Sequence, residues 1–249
     1  MTQQKLFRRI KKQVGQAIGD FKLIEAGDRI AVGVSGGKDS YTLLHILEEL
    51  RQRAPIQFEL IAVNVDSGFR GFRKEVIEEH LIKHGFQYRM ESTNGYSIIE
   101  EKRRPGSSYC AFCARLRRGV LYRLAGELGC NKIALGHHLD DFIETLLLNQ
   151  FYAGSLAAMS PKLLADNGAH VVIRPLVYVE ESDIILYSRN RYPIICCACP
   201  VCGTVDQKRQ KMKKLVHSLA TDIPQIRHSM IAALGNVHSR HLLNEESEM

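Results

Sequence analysis

Arg29-Ile30-Ala31-Val32-Gly33-Val34-Ser35-Gly36-Gly37-Lys38-Asp39-Ser40 runs from an apolar stretch through a glycine turn into a helical pattern. Arg29–Val34 reads as a buried strand and Lys38–Arg53 as the helix that follows it. Between them, the adjacent Gly36 and Gly37 let the backbone approach a ligand closely and aim several N–H groups at one point. The start of the helix adds positive potential and Lys38 adds a full charge, so the turn is a phosphate cradle. It differs from a Walker A loop, because Gly33 and Gly37 enclose three residues rather than four and Asp39 stands where that motif has Ser or Thr.

Outward from this turn, short apolar runs alternate with helical patterns. Phe58–Val65 and Phe86–Met90 read as strands, as does Lys132–Leu135, and helices are expected over 73–84, 111–128 and 140–150. Near-continuous apolar strands separated by helices mark a parallel sheet covered on both faces, so the expected fold is α/β, a doubly wound, mainly parallel sheet. Ligands of such a sheet bind beyond the carboxyl ends of its strands. Further on, a helix is expected over 180–190, a short strand over Pro193–Ile195 and two helices over 208–219 and 223–234. Leu6, Ile10, Val14 and Ile18 recur at four-residue spacing and predict an N-terminal helix over 4–19, with Arg8, Arg9, Lys11 and Lys12 on its polar face. The expected organisation is a single catalytic domain, with its core at about 22–200 and a helical extension at about 204–235.

The composition narrows the function. With 249 residues, 45% hydrophobic and 24% charged, the chain is neither a disordered nor a fibrous protein. No apolar run reaches the ~18 residues needed to span a membrane, and MTQQKLFRRIKKQ lacks the apolar segment of a secretory signal, so a cytoplasmic protein is expected. The net charge of +7 favours anionic partners, of which nucleic acid is the commonest.

Seven cysteines lie at 110, 113, 130, 196, 197, 199 and 202. An odd number, mostly in two tight clusters, argues against a disulfide framework and for metal or redox chemistry. Cys110 and Cys113 stand at a helix start, where thiolates are favoured, and Arg115, Arg117 and Arg118 follow at once. Cys199 and Cys202 complete two CxxC pairs, which suit either a four-cysteine zinc site or an iron–sulfur cluster. Cys130, alone beside an apolar strand, reads as an inert buried thiol. Gly136-His137-His138-Leu139-Asp140-Asp141 follows the strand at 132–135, where a doubly wound sheet builds its site, and offers a carboxylate for Mg²⁺ and a histidine for phosphates. Zinc held by its two histidines and two aspartates is a weaker alternative.

The hexapeptide Ser35–Ser40, SGGKDS, resembles the signature of the PP-loop ATP pyrophosphatases, which bind ATP at this loop, adenylate a carbonyl oxygen and release pyrophosphate. SGGKDS, CxxC, GHHLDD, RPL and CxxCG occur in that order over about residues 5–220, and this order resembles the tRNA 2-thiocytidine synthetase (TtcA) family. The resemblance implies thiolation of an anticodon-loop cytidine, with ATP, Mg²⁺ and a 4Fe-4S cluster held by three cysteines, its fourth iron open to carry sulfur. It makes Ser35, Gly36, Gly37, Lys38, Asp39 and Ser40 the ATP loop, with Lys38 and Asp39 catalytic. Gly136, His137 and Asp141 join the nucleotide site, and Cys110 and Cys113 become cluster ligands and catalytic residues. The third ligand is Cys199 or Cys202, with Cys199 favoured. The chain departs from the pattern at the added Cys196-Cys197 and at Thr204-Val205, where the family more often has Ser-Gln. Partners implied are tRNA and a sulfur donor such as a cysteine desulfurase; a homodimer is left open. Basic patches for tRNA phosphates are Arg8–Lys12, Arg115–Arg118 and, on the later helix, Lys208, Arg209, Lys211, Lys213 and Lys214. Alternatives are a thiolase acting on a tRNA uridine, a tRNA ligase of the same fold (which has no use for paired CxxC motifs) and a zinc-stabilised nucleotide-binding module.

Overall fold

The computed structural model describes residues 2–103, 109–165, 168–201 and 207–242. They fall into two compact units, one of Met1–His138 with Ser160–Val205, the other of Leu139–Met159 with Asp206–Met249. In chain order the helices are α1 (Gln3–Asp20), α2 (Lys38–Arg51), α3 (Lys74–Lys83), α4 (Gly95–Lys102), α5 (Tyr109–Glu127), α6 (Leu139–Leu148), α7 (Glu181–Ser188), α8 (Gln207–Asp222) and α9 (Ile226–Ala233).

The first unit is built on a sheet of β1 (Arg29–Gly33), β2 (Glu59–Asp66), β3 (Tyr88–Ser92), β4 (Lys132–Ala134), β5 (Lys162–Leu164) and β6 (Val171–Ile173). Their order is β3-β2-β1-β4-β6-β5, with every neighbouring pair parallel except β5 against β6. In β1, Ile30, Ala31 and Val32 are all fully buried, and because alternate side chains point to opposite faces, both faces of the sheet are covered. On one face, Leu121, Leu124 and Ala125 of α5 pack with Ala31, Ile61, Val63 and Ile133. Cys130 is buried in the same cluster, and burial pushes its thiol above the ordinary range, as an inert core thiol requires.

The expected mainly parallel sheet is present, with local differences. The hairpin of β5 and β6 escapes sequence reading because three residues are too few to display a period. Pro193–Ile195 is not a strand; the Ile195 N–H instead donates to the Gly36 carbonyl at 3.1 Å. Helix α1 forms as expected: Leu6, Ile10, Val14 and Ala17 are buried along one stripe, and the Thr2 hydroxyl accepts from the Lys5 N–H at the N-cap.

At the ends of β1 and β4 remote from the phosphate loop, Asp28 and Lys132, both buried, pair at 2.7 Å, and Lys132 also reaches Glu25 at 3.0 Å. Burial works to raise the Asp28 pKa, but Lys132, the Glu25 N–H and Asn131 outweigh it and hold the carboxyl below its ordinary range. A second polar cluster joins α2 to α3: His45 Nε2 lies 2.9 Å from His80 Nε2, with Tyr41, Tyr192 and Phe86 rings around the pair. Burial first, then neighbouring charge, pushes His45 down to about 3 and His80 to about 4, so both rings are neutral at neutral pH.

The second unit has its own core. Leu139, Ile143 and Leu147 of α6 pack with Met212 and Val216 of α8. The helix α6 continues into a π-helical turn, Asn149–Ala153, that Gly154 ends in a left-handed conformation.

Candidate active site

Strands β2 and β3 lie on one side of β1, and β4 on the other, so the chain reverses its winding between β1 and β4. This is the switch point at which a doubly wound sheet opens a crevice. Two sequence motifs end there, the glycine loop after β1 and Gly136-His137-His138 after β4.

The loop is held by hydrogen bonds that leave little freedom. Val34 N–H extends the ladder to the Val63 carbonyl at 2.9 Å, and the buried Asn64 amide donates to the Val34 carbonyl at 2.7 Å. Ser40 Oγ accepts from Ser35 N–H at 3.2 Å and donates to the Gly37 carbonyl at 2.9 Å, bracing the turn from within. Gly36 has φ +85°, and a Cβ there would meet Ile195 Cγ1 at 2.5 Å, so both conformation and space demand glycine. Gly37 is the N-cap of α2, which places the helix's first N–H groups behind the loop. Lys38 Nζ sits 3.0 Å from Asp39 and 3.1 Å from Glu181 of α7. Burial opposes its charge, but Asp39 and then Glu181 outweigh it and hold the ammonium above its ordinary range. A phosphate would compete with both carboxylates for this lysine.

Gly136 approaches the loop closely: a Cβ would lie 3.1 Å from the Asp39 carbonyl carbon and 3.2 Å from Ser40 N. His138 Nε2 stands 3.8 Å from Asp39 Oδ1. His137 Nδ1 accepts from Arg174 Nε at 3.2 Å, which leaves the proton of the neutral ring on Nε2, a donor suited to a phosphate oxygen. Arg174 is itself fixed by donating to the Ser160 carbonyl.

The cysteines form a second cluster, also within the first unit. A cavity of about 110 Å³ is lined by Cys110, Cys113, Cys197 and Cys199 together with Tyr109 and Arg117. Cys110 and Cys113 stand three residues apart near the start of α5, so their thiols share one face close to the positive end of the helix. Cys197 and Cys199 come from a segment more than eighty residues later. The intervening Ala198 takes φ +54°, a turn rare outside glycine, and the two sulfurs on either side of it lie 3.3 Å apart. Burial first, then Cys197, pushes the Cys199 thiol up to about 11. A bound metal would reverse this, because coordination deprotonates a thiol outright. Four sulfur donors around one cavity fit a thiolate-bound metal or cluster. Cys202 lies outside the described residues.

The cavity brings together Cys110, Cys113 and Cys199, which the sequence singles out, with Cys197, to which it gives no role; nothing in the sequence points to Glu181, whose partner Lys38 is 143 residues away by number. Asp140 and Asp141 belong to the second unit, where they pair with Arg227 at 2.9 Å and Arg209 at 3.7 Å. The basic patches are partly committed to the fold: Arg9 pairs with Asp183, Lys11 with Glu49, and Arg209 with Glu144. Arg115 and Arg118 are exposed, and Arg117 faces the cysteine cavity.

A glycine loop at the switch point of a mainly parallel sheet defines a nucleotide-binding α/β protein, and the model of the PP-loop domain family matches residues 4–192. A tRNA-cytidine(32) 2-sulfurtransferase of Syntrophotalea carbinolica is 67% identical over 245 residues, 98% of this chain and 95% of the relative. One of Citrifermentans bemidjiense is 64% identical over 240 residues, 96% and 94% of the two chains. The chain belongs to the tRNA-cytidine(32) 2-sulfurtransferase family of PP-loop enzymes. Among solved structures, the U34-tRNA thiolase NcsA from Methanococcus maripaludis with its [4Fe-4S] cluster superposes with a TM-score of 0.77 at 23% identity, covering 99% of this chain and 86% of that one, which shows a shared fold. No helix among the described residues is long and apolar enough to cross a membrane.

Proposed function

We propose that the chain converts cytidine 32 of tRNA to 2-thiocytidine in the cytoplasm, activating the base with ATP and replacing its C2 oxygen by sulfur. The observation that carries this reading is the convergence of Cys110, Cys113 and Cys199 on one cavity, in a chain whose β1 ends in a braced phosphate loop. The N–H groups of the loop and of the α2 N-terminus bind the ATP phosphates, and Lys38 exchanges its carboxylate partners for phosphate oxygens. The attack of the C2 oxygen on the α-phosphorus expels pyrophosphate and leaves the base adenylated. Loop donors and His137 Nε2–H stabilise the charge that develops on the departing oxygens. Sulfide then adds at C2 and AMP leaves, so atoms balance over the two steps. When bound, Mg²⁺, for which Asp39 offers a carboxylate, offsets triphosphate charge, and a 4Fe-4S cluster on Cys110, Cys113 and Cys199 supplies an open iron for sulfur delivered by a desulfurase-type donor. Exposed Arg115 and Arg118, beside Cys110 and Cys113 in sequence, grip the tRNA backbone.

The test is anaerobic purification followed by thiolation of unmodified tRNA with ATP, sulfide and Mg²⁺, and analysis of the nucleosides. 2-Thiocytidine, pyrophosphate release and an iron-dependent brown chromophore are expected. Thiolated uridine would replace the proposed substrate, and stoichiometric zinc without iron would replace the proposed cofactor.

A further inference from the structure

We propose that His45, His80 and His84 form a second metal site, for a divalent transition ion of zinc type, between α2 and α3. One ring nitrogen from each residue lies within 4.8 Å of the others. Zinc bonds imidazole nitrogen at about 2.0–2.1 Å, so ligand nitrogens around one ion stand roughly 3.3 Å apart, and modest rotations of these rings reach that spacing. His80 lies in the last turn of α3 and His84, four residues on, is its C-cap, so both rings stack on one side of the helix end. His45 meets them from α2 with its Nε2 at 2.9 Å from that of His80.

Three further observations fit a ligand set better than a packing accident. His84 Nδ1 donates to the His80 carbonyl at 2.8 Å, the backbone contact by which metal-binding histidines fix their tautomer. The site is graded from the buried His80 through the half-buried His45 to the exposed His84, which gives an ion its entry path and leaves a fourth position for water. All three ligands are imidazoles, a set that suits zinc, nickel or copper and not Mg²⁺. The His45–His80 contact holds one proton between two nitrogens. Coordination moves that proton to the other nitrogen of its ring and replaces N–H···N by two N–metal bonds, with no net proton release.

The site is separate from the cysteine cavity, and the experiment keeps the two apart. Cobalt(II) is titrated anaerobically into full-length protein carrying whatever its cysteines bind, and the same is done for His84→Ala and His84→Gln. His84 is exposed, so both variants keep the fold. The expected result is one equivalent bound with the visible bands of tetrahedral cobalt on nitrogen ligands, displaced by zinc and weakened at least tenfold in both variants. A zinc-dependent rise in Tm should likewise be lost in both. Equal cobalt binding by the three proteins, or a cobalt spectrum carried entirely by thiolate charge transfer, would overturn the proposal.

Discussion

The phosphate loop and the cysteine cavity are built on opposite principles. The loop is finished without its ligand: its backbone is tied to β2, braced by Ser40 and roofed by Ile195, and its charge is already balanced by Asp39 and Glu181. The cavity is an assembly of side chains from two distant segments. It has one left-handed residue between two sulfurs and a thiol that burial and Cys197 push up to about 11. Main-chain donors are cheap to pre-organise because the fold must satisfy them anyway. Clustered thiolates repel, so their geometry is completed only by what they bind. Under the proposed function, the comparison implies that adenylation and sulfur transfer should fail independently.

The largest expected effect follows directly. Cys110→Ser or Cys113→Ser should lower thiolation by more than about a thousandfold, the scale of losing a member of a catalytic unit, while ATP–pyrophosphate exchange in the presence of tRNA persists. Cys130→Ser should leave both activities in place. Loss of exchange in the Cys110 variant would show that the halves of the site are one.

Next comes the buried pair of Asp28 and Lys132, at the ends of β1 and β4 remote from the phosphate loop. Asp28→Asn leaves Lys132 with Glu25 alone, and breaking a buried pair costs about 3 kcal/mol or more, read as a lower urea midpoint with an unchanged slope. Because the Asp28 pKa is depressed in the folded state, its contribution is complete above the ordinary carboxylate pKa and fades as pH falls through the lower folded value. The acid limb of an unfolding titration should therefore flatten in the variant.

Gly36→Ala should weaken ATP binding by roughly tenfold, since a left-handed alanine costs about 1–2 kcal/mol and the new methyl meets Ile195. Calorimetry on Gly36→Ala with Ile195→Ala separates the two causes. Partial recovery assigns the loss to crowding, and none assigns it to φ.

The smallest effect is at Glu181. Replacing it by Gln frees Lys38 from one of two competing carboxylates, and ATP should bind about twofold to fivefold more tightly, the range of a modest ion pair of about 0.5–1 kcal/mol. Weaker binding would mean that Glu181 positions the lysine instead of competing for it.

What was legible in the sequence follows the same division. The strand, double glycine and helix announce themselves within twelve consecutive residues, because a phosphate loop is local chemistry. The CxxC pair at Cys110 was equally plain. The partnership of Cys197 with Cys199 was not, since it depends on a left-handed Ala198 that no propensity favours. Glu181 and the His45–His80–His84 cluster depend on helices meeting in space, and only the four-residue spacing of His80 and His84 left a trace in the chain. The hairpin of β5 and β6 was invisible because its strands are held by pairing and not by their own pattern.

The discontinuous second unit has a consequence for biosynthesis. Its helix α6 ends at Leu148, yet α8, which supplies Met212 and Val216 to the same core, begins only at Gln207, 59 residues later by subtraction. At about 5–20 residues per second, the apolar face of Leu139, Ile143 and Leu147 waits roughly 3–12 s on the ribosome before that partner is made. During that interval the nascent chain presents a sticky helix to chaperones and to its neighbours. A message truncated before codon 207 would release a product with that face permanently bare.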